Sequence, residues 1–172
     1  TKTLICYPAG KAGNSFTVPD GTLAIGDSAF FFCLSLTSVA LPDGLTSIGD
    51  EAFYFCNSLT TVTLPESLTS IDDSAFSYCR SLTSVALPEG LTSIGDSAFF
   101  GCGSLTAITL PEGLASIGDF AFFSCSSLTT VTLPDGLTSI GVNPFSRCPS
   151  LAKIDVSPDH PVFEQIDGVL YE

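Results

Sequence analysis

The sequence has no methionine, no tryptophan, one histidine and only 5 basic residues against 18 acidic ones, a net charge of −13 over 172 residues. Lysines and arginines are too few to cluster along a phosphate backbone, which argues against a nucleic-acid partner. The same deficit argues against docking on an anionic membrane surface. The apolar fraction is 45%, yet no apolar run approaches the roughly 20 residues a membrane-spanning helix needs. His160 lies in the Pro-bounded turn Ser157-Pro-Asp-His-Pro161. A catalytic triad needs a histidine oriented by a carboxylate and set beside a nucleophile, and no motif supplies one. The expectation is a chain without catalytic residues or cofactor. CxxC and Cys/His clusters are missing too, so no metal site is expected. There is no signal peptide and no initiator methionine. The chain reads as a mature segment, or as a piece excised from a longer protein.

What the sequence does contain is one unit written over and over. Cys33, Cys56, Cys79, Cys102, Cys125 and Cys148 stand 23 residues apart. Phe30, Phe53, Phe76, Phe99, Phe122 and Phe145 keep that step, and so do Leu36, Leu59, Leu82, Leu105, Leu128 and Leu151. A fixed period in the twenties with apolar residues locked to it marks a solenoid, whose units bury their apolar faces only by stacking. Six repeats start at Thr22, Leu45, Leu68, Leu91, Leu114 and Leu137. The expected organisation is one domain over 1–172, with partial units at 1–21 and 155–172 flanking repeats at 22–154. The six periodic cysteines read as a buried column of free thiols, because equivalent parallel side chains point the same way and pairing would break their equivalence.

Within a repeat each part has a physical task. In Leu59-Thr-Thr-Val-Thr-Leu64 the period of two turns Val62 and Leu64 inward and Thr61 and Thr63 outward, a parallel strand. Pro65 cannot donate to the ladder and ends it. Pro-Asp/Glu-Gly makes a tight turn. Leu45-Thr-Ser-Ile48 then crosses to the other side, where a second short strand is expected. Asp50 is expected to cap a helical turn whose Ala52, Phe53 and Cys56 face inward, and Asn143-Pro144 to do the same in the sixth repeat.

The string Leu-Thr-Ser-Ile-Gly-Asp-x-Ala-Phe-x-x-Cys-x-Ser-Leu-Thr-x-Val-x-Leu-Pro resembles the BspA-like leucine-rich repeat. The resemblance covers all six repeats, and both ends look like halves of a spacer unit found between repeat blocks of that family. It implies a right-handed leucine-rich-repeat solenoid: a concave sheet of short parallel strands, with short strands and helical turns on the other sides. It also implies a surface or secreted protein, since relatives are linked to adhesion and host-protein binding. The family often has Gly just before the Cys. Only Gly101 does so here, while Phe32, Phe55 and Tyr78 stand at that position, Ser67 replaces the turn Gly, and Asp72 replaces the Gly after Ile71.

Several surfaces are candidates for function. Asp27, Asp50, Asp73, Asp96 and Asp119 form one acidic column, and Asp43, Glu66, Glu89, Glu112 and Asp135 a second. Capping and solvation explain them better than calcium, which wants several oxygens at one point. The outward strand positions are small and nearly uncharged, from Ser38/Ala40 to Lys153/Asp155, and an ice-binding Thr/Ser face is a remote reading of them. Phe31, Phe32, Tyr54, Phe55, Tyr78, Phe100 and Phe123 should point outward from the turns. They either finish the core or form an exposed aromatic patch that binds a protein partner. The functional expectation is a non-enzymatic interaction or adhesion module, with a structural spacer as its alternative. The split spacer halves also predict weak head-to-tail contact between residues 3–7 of one copy and 167–171 of another. The competing outcome is that each half folds back over its own end.

Overall fold

The computed structural model describes residues 2–166 and 169–171. Its strands are short because the chain turns a corner several times in each 23-residue rung. Strands Thr3–Leu4, Ala24–Ile25, Ser47–Ile48, Ser70–Ile71, Ser93–Ile94, Ser116–Ile117 and Ser139–Ile140 form a seven-stranded parallel sheet in chain order. Strands Ser15–Thr17, Ser38–Ala40, Thr61–Thr63, Ser84–Ala86 and Ala107–Thr109 form a second, five-stranded parallel sheet, and Thr130–Thr132 pairs with Lys153–Asp155 beyond it. Register advances one repeat at a time, so that Val39 faces Val62 and Val62 faces Val85. The crossing segment Leu-Thr-Ser-Ile, expected to be the minor strand, thus builds the wider sheet.

The core lies between the sheets and the turns. Phe30, Phe53, Phe76, Phe99 and Phe122 are fully enclosed and stack face to face at centroid spacings of 4.7, 5.0, 5.4 and 5.3 Å. The rise between rungs, about 4.8 Å, suits offset ring stacking. Cys33 through Cys125 are buried and unbridged, Cys148 is half-buried, and Cys6 is exposed. Each thiol from Cys56 onward donates to the carbonyl of the spine phenylalanine one rung below, as Cys102 does to Phe76 at 3.1 Å. Thr60 offers both its N–H and its hydroxyl to the Thr37 carbonyl, at 3.0 and 3.1 Å, and the pattern repeats up the column.

The expected helical turns do not form, and among the described residues there is no helix. Ser28, Phe32, Glu51, Phe55, Ser74 and Tyr78 have φ between 54° and 61°. A right-handed helix cannot pass through such residues. The N–H groups of Ala29, Phe31 and Cys33 close turns within the rung, onto Gly26, Ser28 and Phe30. Those of Ser28, Phe30 and Phe32 alternate with them and donate to Asp50, Ala52 and Tyr54 of the next rung, at 2.7, 2.7 and 2.9 Å. Alternate amides thus serve the neighbouring rung, a partner that no local pattern reveals. The aspartate column is corrected accordingly. Asp73 Oδ1 does not cap its own turn but accepts the Asp96 N–H of the next rung at 2.7 Å, and Asp27, Asp50, Asp96 and Asp119 act alike. Asn143, expected to start a helix, likewise has a φ of 52°.

Both ends find partners within the chain. Thr3–Leu4 joins the wider sheet beside Ala24–Ile25. Tyr7 stacks on Phe30 at 5.2 Å, and Lys11 covers Tyr7 and Phe16 with its ammonium. At the other end Glu164–Ile166 pairs antiparallel with Val169–Tyr171. His160 Nε2 lies 3.0 Å from the Pro134 carbonyl and so carries the proton, while Nδ1 accepts the N–H groups of Val162 and Phe163. Both ring nitrogens are engaged by backbone. Residues 167 and 168 of the expected head-to-tail contact lie outside the described residues.

Candidate interaction site

The seven outward aromatics come together in one unbroken line of ring contacts. Phe31 stacks on Tyr54 at 5.2 Å and Phe32 on Phe55 at 4.8 Å. Phe55 meets Tyr78 at 4.9 Å, Tyr78 meets Phe100 at 5.2 Å, and Phe100 stacks on Phe123 at 4.9 Å. Phe31 and Phe32 are 40% and 42% exposed, and the other five are half-buried. The ridge therefore leans on its own turns while keeping ring surface in water. Packing against neighbouring rings also removes water from Tyr54 and pushes its hydroxyl above its ordinary range, with Tyr78 and Glu51 adding to the effect.

Three of these aromatics stand where the repeat backbone is left-handed whatever the residue, since Ser124 and Arg147 at the same position have φ of 60° and 58°. Phe32, Phe55 and Tyr78 occupy the position before the Cys, where φ is 55°, 61° and 59°. A side chain in this left-handed region costs on the order of 1 kcal/mol relative to glycine. Gly101, at the same position one rung on, has φ +70°, and a Cβ there would lie 3.0 and 3.2 Å from the Tyr78 ring. The ring of Tyr78 thus rests on the bare Gly101 backbone. There the ridge steps across from one column to the next, from Tyr78 to Phe100.

Three contributors were missed in the sequence. Phe120, 36% exposed, packs edge-on against Phe123 at 5.7 Å. Arg80 lies 5.6 Å from the centroids of both Phe55 and Tyr78, and Arg147 lies 5.3 Å from that of Phe123. The available signal was register: Arg80 follows a repeat Cys and Arg147 precedes one. A groove of about 480 Å³ opens between them over Phe100 and Phe123.

Elsewhere a shallower acidic groove of about 560 Å³ runs along the Ser-Ile-Gly-Asp strip, lined by Asp50, Asp72, Asp73, Asp96 and Asp119. Burial holds the Asp72 carboxyl above the usual range, and the charges of Asp50, Asp73 and Asp27 add to this. Among the described residues no group of three or more acidic, thiol or imidazole side chains is arranged to hold a metal ion. Asp43, Glu66, Glu89, Glu112 and Asp135 are simply exposed.

A BspA type leucine rich repeat region, in six copies, matches residues 9–111 and 92–165. The chain belongs to the BspA-type leucine-rich repeat family. A Treponema pallidum (T. pallidum) leucine rich repeat protein, TpLRR, is 34% identical, with a TM-score of 0.80 over 83% of this chain and 69% of that one. A leucine-rich repeat protein from Bacteroides ovatus is 36% identical, with a TM-score of 0.78 over 81% and 39% of the two chains. A leucine rich cell surface protein from Faecalibacterium prausnitzii is 33% identical, with a TM-score of 0.70 over 99% and 53%. The chain thus spans about half or less of the last two structures. No curated protein matches it significantly. As a BspA-type repeat array it has the architecture of a protein-interaction scaffold, and among the described residues no helix is long and apolar enough to cross a membrane.

Proposed function

We propose that this BspA-type array is the interaction module of a surface or secreted protein and that it engages an extracellular protein through its aromatic ridge. The carrying observation is the ridge itself: seven rings in continuous contact, three of them held at positive φ where glycine would be less strained. Half-exposed aromatics of this kind are what protein interfaces favour. The cell-surface description of the F. prausnitzii relative supports an extracellular setting. Binding to a panel of immobilised purified extracellular-matrix proteins tests the reading, with wild type compared to Phe32→Ser/Phe55→Ser/Tyr78→Ser. The expected result is saturable wild-type binding that the triple variant loses while its melting temperature falls far less than that of a spine variant. A wild-type chain that binds nothing above background would favour the structural spacer. Unchanged binding by the triple variant would move the interface elsewhere.

A further inference from the structure

Arg80 and Arg147 are the only arginines in a chain of net charge −13, and both line the same groove. They belong to the third and sixth repeats. The two rungs between them contribute Gly101, Gly103, Ser124 and Ser126 beside the cysteines, and these small residues leave the depression open. Each guanidinium lies within cation–π range of the ridge, Arg80 near Phe55 and Tyr78 and Arg147 near Phe123. A cation–π contact holds the guanidinium beside the rings without consuming its hydrogen-bond donors. Among the described residues neither arginine forms an ion pair; the recorded pair is Lys153 with Asp155. Among the described residues no acidic side chain lines the groove. Two guanidinium groups without an ion-pair partner among the described residues make a small positive spot on an otherwise acidic molecule. A long polyanion would run onto the surrounding negative surface, so a short stretch with few charges fits best.

We propose that this groove binds an extended peptide segment bearing two carboxylates four residues apart with an aromatic side chain midway. The proposal rests on the interaction-module reading and specifies its ligand. Three rungs separate the repeats of Arg80 and Arg147, about 14 Å along the axis. An extended peptide rises about 3.4 Å per residue, so four residues span the same distance. The strand period of two puts residues i, i+2 and i+4 on one face. The outer carboxylates then meet the arginines as charge-assisted pairs, and the central ring lies against Phe100 and Phe123, themselves stacked at 4.9 Å.

The probe is a fluorescent synthetic peptide with Glu-Ser-Phe-Ser-Glu in a Gly/Ser frame, titrated by anisotropy against the intact chain. The expected result is saturable binding below about 1 mM, weakened about tenfold by Arg80→Gln and again by Arg147→Gln. Replacing both glutamates by glutamine, or the phenylalanine by alanine, should weaken it similarly. Both arginines are exposed, so the variants should keep the wild-type melting temperature. Absence of saturable binding up to about 1 mM overturns the proposal. So does equal binding by the glutamine peptide, by a control with adjacent glutamates, or by the double arginine variant. Tighter binding of a sialylated trisaccharide than of the peptide would overturn it in favour of an acidic glycan. Failure here is separable from failure of the broader reading. If matrix-protein binding survives Arg80→Gln/Arg147→Gln but is lost in Phe31→Ser/Phe32→Ser, the ridge binds a partner and the groove does not.

Discussion

Raising the pH should unfold this protein through its thiol column. Burial pushes the Cys79 thiol from 9.0 up to about 12, and it raises Cys102 and Cys125 as well. The folded state therefore holds protons that the unfolded chain releases near pH 9. Between pH 9 and 12 the unfolded state binds fewer protons, so stability must fall as pH rises. Each such thiol contributes a slope of about 0.7 kcal/mol per pH unit at pH 9, rising toward about 1.4 above pH 10 and fading below pH 8. Three together remove about 3 kcal/mol between pH 9 and 10, a large part of an ordinary folding free energy. Urea unfolding in steps from pH 7 to 11 measures this. Lysine and tyrosine titration and the growing negative charge also act there, so the comparison is with Cys79→Ala/Cys102→Ala. That variant should be less stable at pH 7 yet lose about 2.7 kcal/mol less per pH unit above pH 10. Parallel profiles for wild type and variant would refute the reasoning.

Phe99→Ala should cost about 3–5 kcal/mol, because the ring is fully buried and stacked on both sides at 5.4 and 5.3 Å. Phe145→Ala should cost roughly half as much by the same yardstick, since Phe145 is partly exposed with one stacked spine ring, Phe122 at 5.5 Å; equal losses in chemical denaturation would contradict a nearest-neighbour stack. Thiol labelling of the native protein should modify Cys6 quickly, Cys148 slowly, and Cys33, Cys56, Cys79, Cys102 and Cys125 only after denaturation. Gly101→Ala should lower the melting temperature by about 2–4 °C through its strained backbone and alter tyrosine fluorescence, because its Cβ would press on Tyr78. A silent Gly101→Ala would mean that the ring does not rest there.

The columns were legible because stacking makes equivalent residues touch: the 23-residue step of Phe30, Leu36 and Cys33 is itself a contact list. Tyr7 was overlooked: it stands 23 before Phe30 and stacks on it, but its segment reads locally as a short strand. The turns were not. Ala52, Phe53 and Cys56 at i, i+1 and i+4 suit a helix equally well, and the choice is made by amides that donate to the next rung, a partner absent from any single repeat. Asp50 was recognisable as an acceptor, but its donor, the Asp73 N–H, is a full repeat away. For the candidate site, all seven ring positions could be read from their columns. Their continuity could not, because it depends on Tyr78 leaning over Gly101 to reach Phe100. The arginines were overlooked because each stands alone in its column and becomes a pair only through the depth of two intervening rungs.

The alternation of turn amides between their own rung and the next also sets how the coil responds to load. Pulled from its two ends, the stack carries force across every rung boundary in series, through an equivalent set of sheet, turn, threonine and aspartate hydrogen bonds and stacked core side chains at each boundary. The weakest boundary is the C-terminal one, where half-buried Phe145 and Leu151 replace enclosed rings and leucines, whereas buried Tyr7 stacks on Phe30 at the other end. Peeling one rung releases 23 residues, about 80 Å of extended chain, while shortening the coil by about 4.8 Å. Peeling from the C-terminal end would thus lengthen the chain one rung at a time and reach the ridge, which runs from Phe31 to Phe123, only after the sixth repeat.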